Sequence, residues 1–190
     1  MKPFILASGS PRRKELLEQA QISFTIQTSD VDETIDPALS PDELVQSLAL
    51  QKAEAVFEQN QHAVVLGADT IVVLDGQVLG KPNDREHAKE MLSALSGKKH
   101  SVLTGVAILD NEQQKIFSVE THVQFWQLTN EEIERYLDTN EPFDKAGSYG
   151  IQGFGATLVE AISGDYFSVV GLPLASTVRE LSNFGITPNF

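Results

Sequence analysis

Ala63-Val64-Val65-Leu66-Gly67-Ala68-Asp69-Thr70-Ile71-Val72-Val73-Leu74-Asp75-Gly76 is the stretch whose reading decides the fold. It is apolar from Ala63 to Leu74 except at Asp69 and Thr70, and it closes on Asp75-Gly76, a hairpin signal. Helical and strand-like segments alternate on either side of it. Upstream, Ser40-Pro41-Asp42-Glu43 is a capping box that opens a helix to about Phe57. Before that, Ser23 to Thr28 alternates like a strand. Ser10-Pro11 starts a helix with Leu16, Leu17 and Ala20 on its apolar side, and Phe4 to Ala7 reads as a buried strand. Downstream, Asn83 is expected to cap a helix carrying Ala88, Met91, Leu92 and Leu95 at helical spacing, ended by Gly97. Strand-like runs over 101–109 and 116–128 flank a turn at Asp110-Asn111. Thr129-Asn130-Glu131-Glu132 is a second capping box, before a helix to about Leu137. A glycine-rich loop covers 141–156. Thr157 to Ile162 and Tyr166 to Val170 read as strands joined at Gly164-Asp165, and Pro173 opens a last helix to about Phe184. Alternation interrupted by hairpins predicts an α/β domain with a mixed sheet.

Composition narrows the function classes. A chain of 190 residues suits one domain, or one domain with two lobes, and buries roughly 70% of its unfolded surface without staples. The absence of cysteine excludes disulfides, thiolate metal sites and cysteine nucleophiles, and fits a reducing compartment. The apolar run Phe4 to Ala7 is too short for a signal peptide, and no run approaches the ~18 apolar residues of a membrane span. The expectation is a soluble, cytoplasmic protein with no membrane partner. A formal net charge of −13 argues against a nucleic-acid polymer as partner. A small polyanion would need a local cationic site set against the global charge.

Four places work against the stability of the chain. Arg12-Arg13-Lys14 occupies the opening turn of a helix, where the macrodipole is positive and exposed cations cost about 0.3–1 kcal/mol each. Arg13 also projects toward the apolar side, beside Leu17 and Ala20. A bound anion resolves both conflicts by meeting backbone N–H groups, the hydroxyls of Ser8 and Ser10, and the guanidinium groups together; a solvated basic turn is the alternative. Lys14 points away and is surface. Asp69 is a lone carboxylate in an apolar run, costly to bury unless paired or bound to metal. A strand end or bend at Gly67-Ala68 would place it at the mouth of a cleft, able to bind a cation or activate water; an Asp turn between two hairpin strands is the other reading.

Lys52 falls inside the apolar arc of Leu44, Val45, Leu48, Ala55 and Val56, where it either snorkels or holds a phosphate. Finally, Gly147-Ser148-Tyr149-Gly150-Ile151-Gln152-Gly153-Phe154-Gly155 has four glycines within nine residues, which lets backbone approach a ligand closely. It lacks the endings of a Walker A loop and of a dinucleotide fingerprint. The Gln152 amide, which donates and accepts, could read a base edge.

The four histidines lack metal-ligand spacing and are surface or structural; Phe125 and Trp126 sit in a strand pattern and are expected to pack. No serine lies in a nucleophile elbow. Cations for phosphate, an acid and no protein nucleophile suggest phosphoryl chemistry with water attacking. Arg13, Lys52 and Lys81 are suitable counter-charges, and Asp69 and Glu33 are suitable ligands for a hard divalent metal, Mg or Mn.

Five blocks then resemble the Maf family: 7–13 (Ala-Ser-Gly-Ser-Pro-Arg-Arg), 67–70 (Gly-Ala-Asp-Thr), 80–82 (Gly-Lys-Pro), 144–153 (Asp-Lys-Ala-Gly-Ser-Tyr-Gly-Ile-Gln-Gly), and Gly164-Asp165-Tyr166 with Val170-Gly171-Leu172-Pro173. They run in family order over nearly the whole chain. The resemblance implies one Maf-like catalytic domain over 1–190, with an elongated twisted mixed sheet flanked by helices and two lobes around a central cleft (Maf/ITPase-like). It implies a nucleoside triphosphate pyrophosphatase cleaving between the α and β phosphates, a divalent metal and a homodimer. Asp69 matches the family's proposed proton acceptor; Arg12, Thr70 and Gln152 match positions associated with substrate choice. Ser8, Arg13, Glu33, Lys52 and Lys81 match the polar cleft, and Lys145 is taken with them as substrate-binding. Gly-Ile-Gln-Gly looks like the branch acting on dTTP and UTP. A glutamine amide satisfies both O4 and N3–H of thymine or uracil. Modified pyrimidine nucleotides fit the same reading. The alternatives are a nucleotide-binding cell-division regulator without turnover, and nucleotidyl transfer.

Overall fold

A computed structural model describes residues 2–28 and 34–190 of the chain. Their strands are β1 (Phe4–Leu6), β2 (Thr25–Ile26), β3 (Val64–Leu74), β4 (Gln77–Leu79), β5 (Lys99–Leu109), β6 (Gln114–Phe125) and β7 (Val159–Ser163). The helices are α1 (Pro11–Gln19), α2 (Pro41–Phe57), α3 (Arg85–Leu95), α4 (Asn130–Leu137), α5 (Tyr166–Val170) and α6 (Leu174–Asn183). Strand order is β2-β1-β3-β5-β6-β7, with β4 paired to β3. β1 runs parallel to both β2 and β3, while the β3–β4 and β6–β7 pairs are antiparallel. The sheet is therefore mixed, as the alternation predicts.

The chain divides into two compact units. The first comprises Met1–Asp69, Thr104–Val119 and Gly171–Phe190; the second comprises Thr70–Leu103 and Glu120–Val170. The first unit buries Ala49, Ala53 and Val56 of α2 against Ile5, Val65 and Ala107 of its strands. The second buries Ala88, Leu92 and Leu95 of α3 with Ile133, Tyr136 and Leu137 of α4 over Val72, Val102, Val123 and Phe125. Each fully buried Val, Leu or Phe removes apolar surface worth about 1.5–3 kcal/mol, so helix faces with this spacing hold to the sheet without help from polar contacts.

Local signals set most boundaries. Both capping boxes form: Ser40 with Glu43, and Thr129 with Glu132, each exchange reciprocal side-chain and backbone bonds. Several expectations are corrected. The cap of α3 is Asp84, not Asn83; its carboxylate accepts the His87 N–H at 2.8 Å, and an anion suits the positive end of the helix. Tyr166 to Val170 is helical rather than a strand, because Asp165 Oδ1 accepts from the N–H groups of Phe167 (2.8 Å) and Ser168 (3.3 Å) and so starts a helical turn. The loop over 141–156 is built of three short 3-10 turns, Glu141–Asp144, Ala146–Ser148 and Gly153–Leu158. Phe125 is fully buried as expected, but Trp126 is half exposed and does not serve the core.

Candidate active site

The first unit holds Arg12, Arg13, Lys52 and Asp69. β1 ends at Leu6, in parallel register with Leu66 of β3, and the Ala7 N–H still donates to the Leu66 carbonyl at 2.7 Å. Ser8 to Arg13 thus leaves the carboxyl end of β1 and enters α1, a position where α/β sheets place ligands. Arg13 is braced rather than solvated. Its Nε donates to the Gly171 carbonyl at 2.8 Å and its Nη1 to Ser8 Oγ at 3.0 Å, so two of the sequence blocks, 7–13 and the one that contains Gly171, meet at one guanidinium. Ser8 Oγ also accepts the Ser10 N–H at 3.3 Å. Ser10 makes no side-chain cap bond to α1. Arg12 is half-buried, and Lys14 is exposed, its charge shared with Glu18 one turn on.

Asp69 is not at a bend. β3 is continuous from Val64 to Leu74, and neither a strand end nor a turn interrupts it at Gly67-Ala68. Gly67 serves a different purpose: a Cβ there would stand 2.7 Å from the Ala53 nitrogen and 3.0 Å from the Ala53 Cβ. The missing side chain lets the α2 backbone lie directly on β3. Because strand side chains alternate, Asp69 projects from the same face as Gly67, toward α2. Lys52, one residue before Ala53, then reaches it, and its ammonium forms an ion pair with Asp69 Oδ1. The Lys52 and Asp69 side chains are 22% and 17% exposed, so the pair is partly desolvated yet open to solvent. Lys52 therefore neither merely snorkels nor stands alone in its apolar stripe.

The second unit carries the remaining residues. Thr70 follows Asp69 in β3 and is half-buried. Lys81 is exposed, just past β4, and its neighbour Gly80 accepts the Gly147 N–H at 3.0 Å, which ties the Gly-Lys-Pro block to the glycine-rich one. Gln152 is exposed between buried Ile151 and left-handed Gly153, whose φ is +62°. Lys145 is engaged within its own turn: Nζ donates at 2.6 Å to both the Glu141 carbonyl and Asp144 Oδ1.

Three residues without any sequence signal organise this loop. Glu141 Oε2 accepts the Phe154 N–H at 2.9 Å; Oε1 accepts the Gly155 N–H at 3.1 Å and the Tyr136 hydroxyl at 3.0 Å. That hydroxyl accepts the Gly150 N–H at 3.2 Å. His100 Nε2 and the Tyr149 hydroxyl share a hydrogen bond of 2.7 Å inside a buried cluster with Phe125. Burial lowers the His100 pKa to about 4 and raises that of the Tyr149 phenol, so both stay neutral. The nearby Lys98 carbonyl offsets part of the His100 shift, but Nδ1 meets no partner at hydrogen-bond geometry.

Metal donors are few among the described residues. No group of three or more His, Cys, Asp or Glu side chains forms there, and Glu33 lies outside them. Asp69 is the carboxylate that remains of the expected pair. Oxygen donors of this kind fit a hard cation of the magnesium type, which takes one or two carboxylates and draws its other ligands from phosphate oxygens and water.

The first unit thus carries a helix N-terminus with a braced arginine and an acid–lysine pair, and the second carries the glycine-rich turn. Residues 3–184 match the family described as Maf-like protein, and the chain belongs to that family. A dTTP/UTP pyrophosphatase of Bacillus cytotoxicus is 59% identical over 184 residues, 97% of this chain and 96% of that protein. One of Bacillus pumilus is 58% identical over 188 residues, 99% of this chain and all of its own length. Among solved structures, the Staphylococcus aureus Ham1 protein aligns with a TM-score of 0.47 at 15% identity, over 65% of this chain and 72% of that one.

Proposed function

We propose that this protein hydrolyses dTTP and UTP to the monophosphate and pyrophosphate. The observation that carries the chemistry is the Lys52–Asp69 ion pair, a carboxylate held beside a cation on an otherwise apolar strand. The pyrimidine substrates are supported by the relatives named above, which share 58–59% of their residues with nearly the whole chain.

In this reading Asp69 accepts a proton from water as its oxygen attacks the α phosphorus. The bond from that phosphorus to the α–β bridging oxygen breaks, and pyrophosphate leaves with the bond's electron pair. Lys52 balances charge at Asp69. Arg13, fixed by Gly171 and Ser8, presents a preorganised guanidinium, and Lys81 adds an exposed counter-charge. Arg12, Thr70 and Gln152 select the nucleoside, with the Gln152 amide facing O4 and N3–H of the base. Lys145 serves the substrate by fixing the turn that precedes Gln152. A divalent metal, Mg or Mn, held by Asp69 and Glu33 with the phosphates, would neutralise the triphosphate.

Residues 1–190 act as a single catalytic domain, a reading supported by the family match over 3–184 and by the make-up of both units from separated chain segments. The protein works in the cytoplasm, where nucleoside triphosphates are made, and as a homodimer, as the family resemblance implies. No helix among the described residues is long and apolar enough to cross a membrane. The test is product identification from a panel of nucleoside triphosphates with Mg or Mn. Monophosphate and pyrophosphate from dTTP and UTP are expected. Diphosphate plus orthophosphate would overturn the site of cleavage, and binding without turnover would favour a regulator.

A further inference from the structure

The glycines of the 147–155 motif invite the idea that backbone there closes on a ligand, yet several of them close on Glu141 instead. A Cβ on Gly153 would stand 2.6 Å from Glu141 Oε2, and one on Gly155 would stand 2.8 Å from the Tyr136 hydroxyl and 3.1 Å from Glu141 Oε1. The carboxylate and phenol occupy the space that side chains would need. From there they bind the backbone on both sides of Gln152: Gly150 through Tyr136, and Phe154 and Gly155 directly. The Gln152 side chain makes no hydrogen bond among the described residues. Its amide is left to a ligand while its main chain is clamped.

The support beneath the clamp is itself hydrogen-bonded and ion-paired. Glu141 lies four residues past the end of α4, its N–H donating to Thr139 Oγ1 at 3.2 Å, and Thr139 in turn donates to the Tyr136 carbonyl at 2.7 Å. Glu134 of α4 is held by Lys89 and by Arg85, each at 2.7 Å, which ties α4 to α3. Burial raises the Tyr136 pKa well above the ordinary phenol value, so its hydroxyl keeps the proton that it donates to Glu141.

We propose that Glu141 and Tyr136 are a positioning pair for base selection: they hold the turn on both sides of Gln152 so that its amide meets O4 and N3–H of a thymine or uracil base in one fixed orientation. The inference rests on the reading of Gln152 as the base-selecting residue. A specificity contact of this kind discriminates only when its support shell is locked, since a loosened amide can rotate to suit the reversed donor and acceptor pattern of cytosine.

The experiment compares kcat and KM for dTTP and dCTP in the wild type, Glu141→Gln, Tyr136→Phe, Gln152→Ala and the double variant Glu141→Gln/Gln152→Ala. A glutamine at 141 has one acceptor oxygen for three donors, so the turn should loosen. The dTTP preference should fall about tenfold in Glu141→Gln, mainly through KM for dTTP, with kcat within about threefold. Tyr136→Phe should shift the ratio in the same direction, and it decides the matter if thermal melting shows Glu141→Gln unfolded. The double variant should match Gln152→Ala alone, because the clamp acts only through that amide. An equal loss of kcat on both nucleotides, or additive losses in the double variant, would overturn the inference. If Gln152→Ala keeps the full dTTP preference, the reading of Gln152 fails and the inference with it. If Gln152→Ala loses the preference while Glu141→Gln and Tyr136→Phe retain it, the inference alone fails.

Discussion

Lys52 meets Asp69 because Gly67, two residues before the acid on the same face of β3, has no side chain to hold α2 away. The contact is thus a consequence of helix-on-strand distance, and α2 brings the lysine at the point where its own backbone touches the sheet. Ala49 and Ala53, fully buried on either side of Lys52, keep that approach close. Small residues on both surfaces are the packing cause of a charged pair within a nearly apolar layer.

Gly67→Ala tests this relationship. A methyl group there would sit 2.7 Å from the Ala53 nitrogen, and backbone cannot rotate aside as a side chain can. The variant should lose about 1–3 kcal/mol of stability and more activity than its stability loss explains. Chemical denaturation and turnover measured together check it; wild-type values for both would mean that α2 can lift without cost.

Asp69→Asn keeps the shape and removes the proposed proton acceptor. Turnover of dTTP should fall roughly 10²- to 10⁴-fold, the usual contribution of a positioned proton acceptor, with the far-UV spectrum unchanged. Undiminished turnover would take Asp69 out of the mechanism.

Gln152→Ala should relax base preference more than it slows the chemistry. A pocket that hydrogen-bonds its substrate gains selectivity because the wrong base leaves polar groups unpaired. The ratio of kcat/KM for dTTP over dCTP is the readout. An equal loss on every nucleotide would contradict a base-reading role.

Chelation with EDTA should abolish turnover, and added Mg or Mn should restore it. Full activity in the chelator would remove the metal from the reaction.

His100 makes stability depend on pH. Its folded pKa is lowered to about 4 by burial, below the unfolded value near 6.5. Between those values the unfolded chain binds more protons, so stability is fully present above about pH 6.5 and falls as pH drops toward 4, by about 1.4 kcal/mol per pH unit and about 3 kcal/mol in all. Urea unfolding at pH 7, 6, 5 and 4 measures the slope. His100→Leu should flatten it relative to the wild type; identical slopes would show that His100 is not the group that titrates.

The sequence by itself determined what depends on neighbours a few residues apart. Caps at Ser40 and Thr129, the hairpin at Asp75-Gly76 and the helical spacing of Ala88, Met91, Leu92 and Leu95 are satisfied within one turn, so their residues suffice to specify them. It also marked Asp69, Lys52 and Arg13 as residues out of keeping with their surroundings, since a charge in an apolar stripe is visible without coordinates. Only the tertiary structure decided who relieves each conflict. Lys52 answers Asp69 across 17 positions, and the Gly171 carbonyl answers Arg13 across 158. The run Tyr166 to Val170 carries no period long enough to tell strand from helix, and the Asp165 side chain settles it. The glycines at 153 and 155 announce that something comes close; that it is Glu141 emerges only when the chain folds back, because a missing side chain records the space and not its occupant.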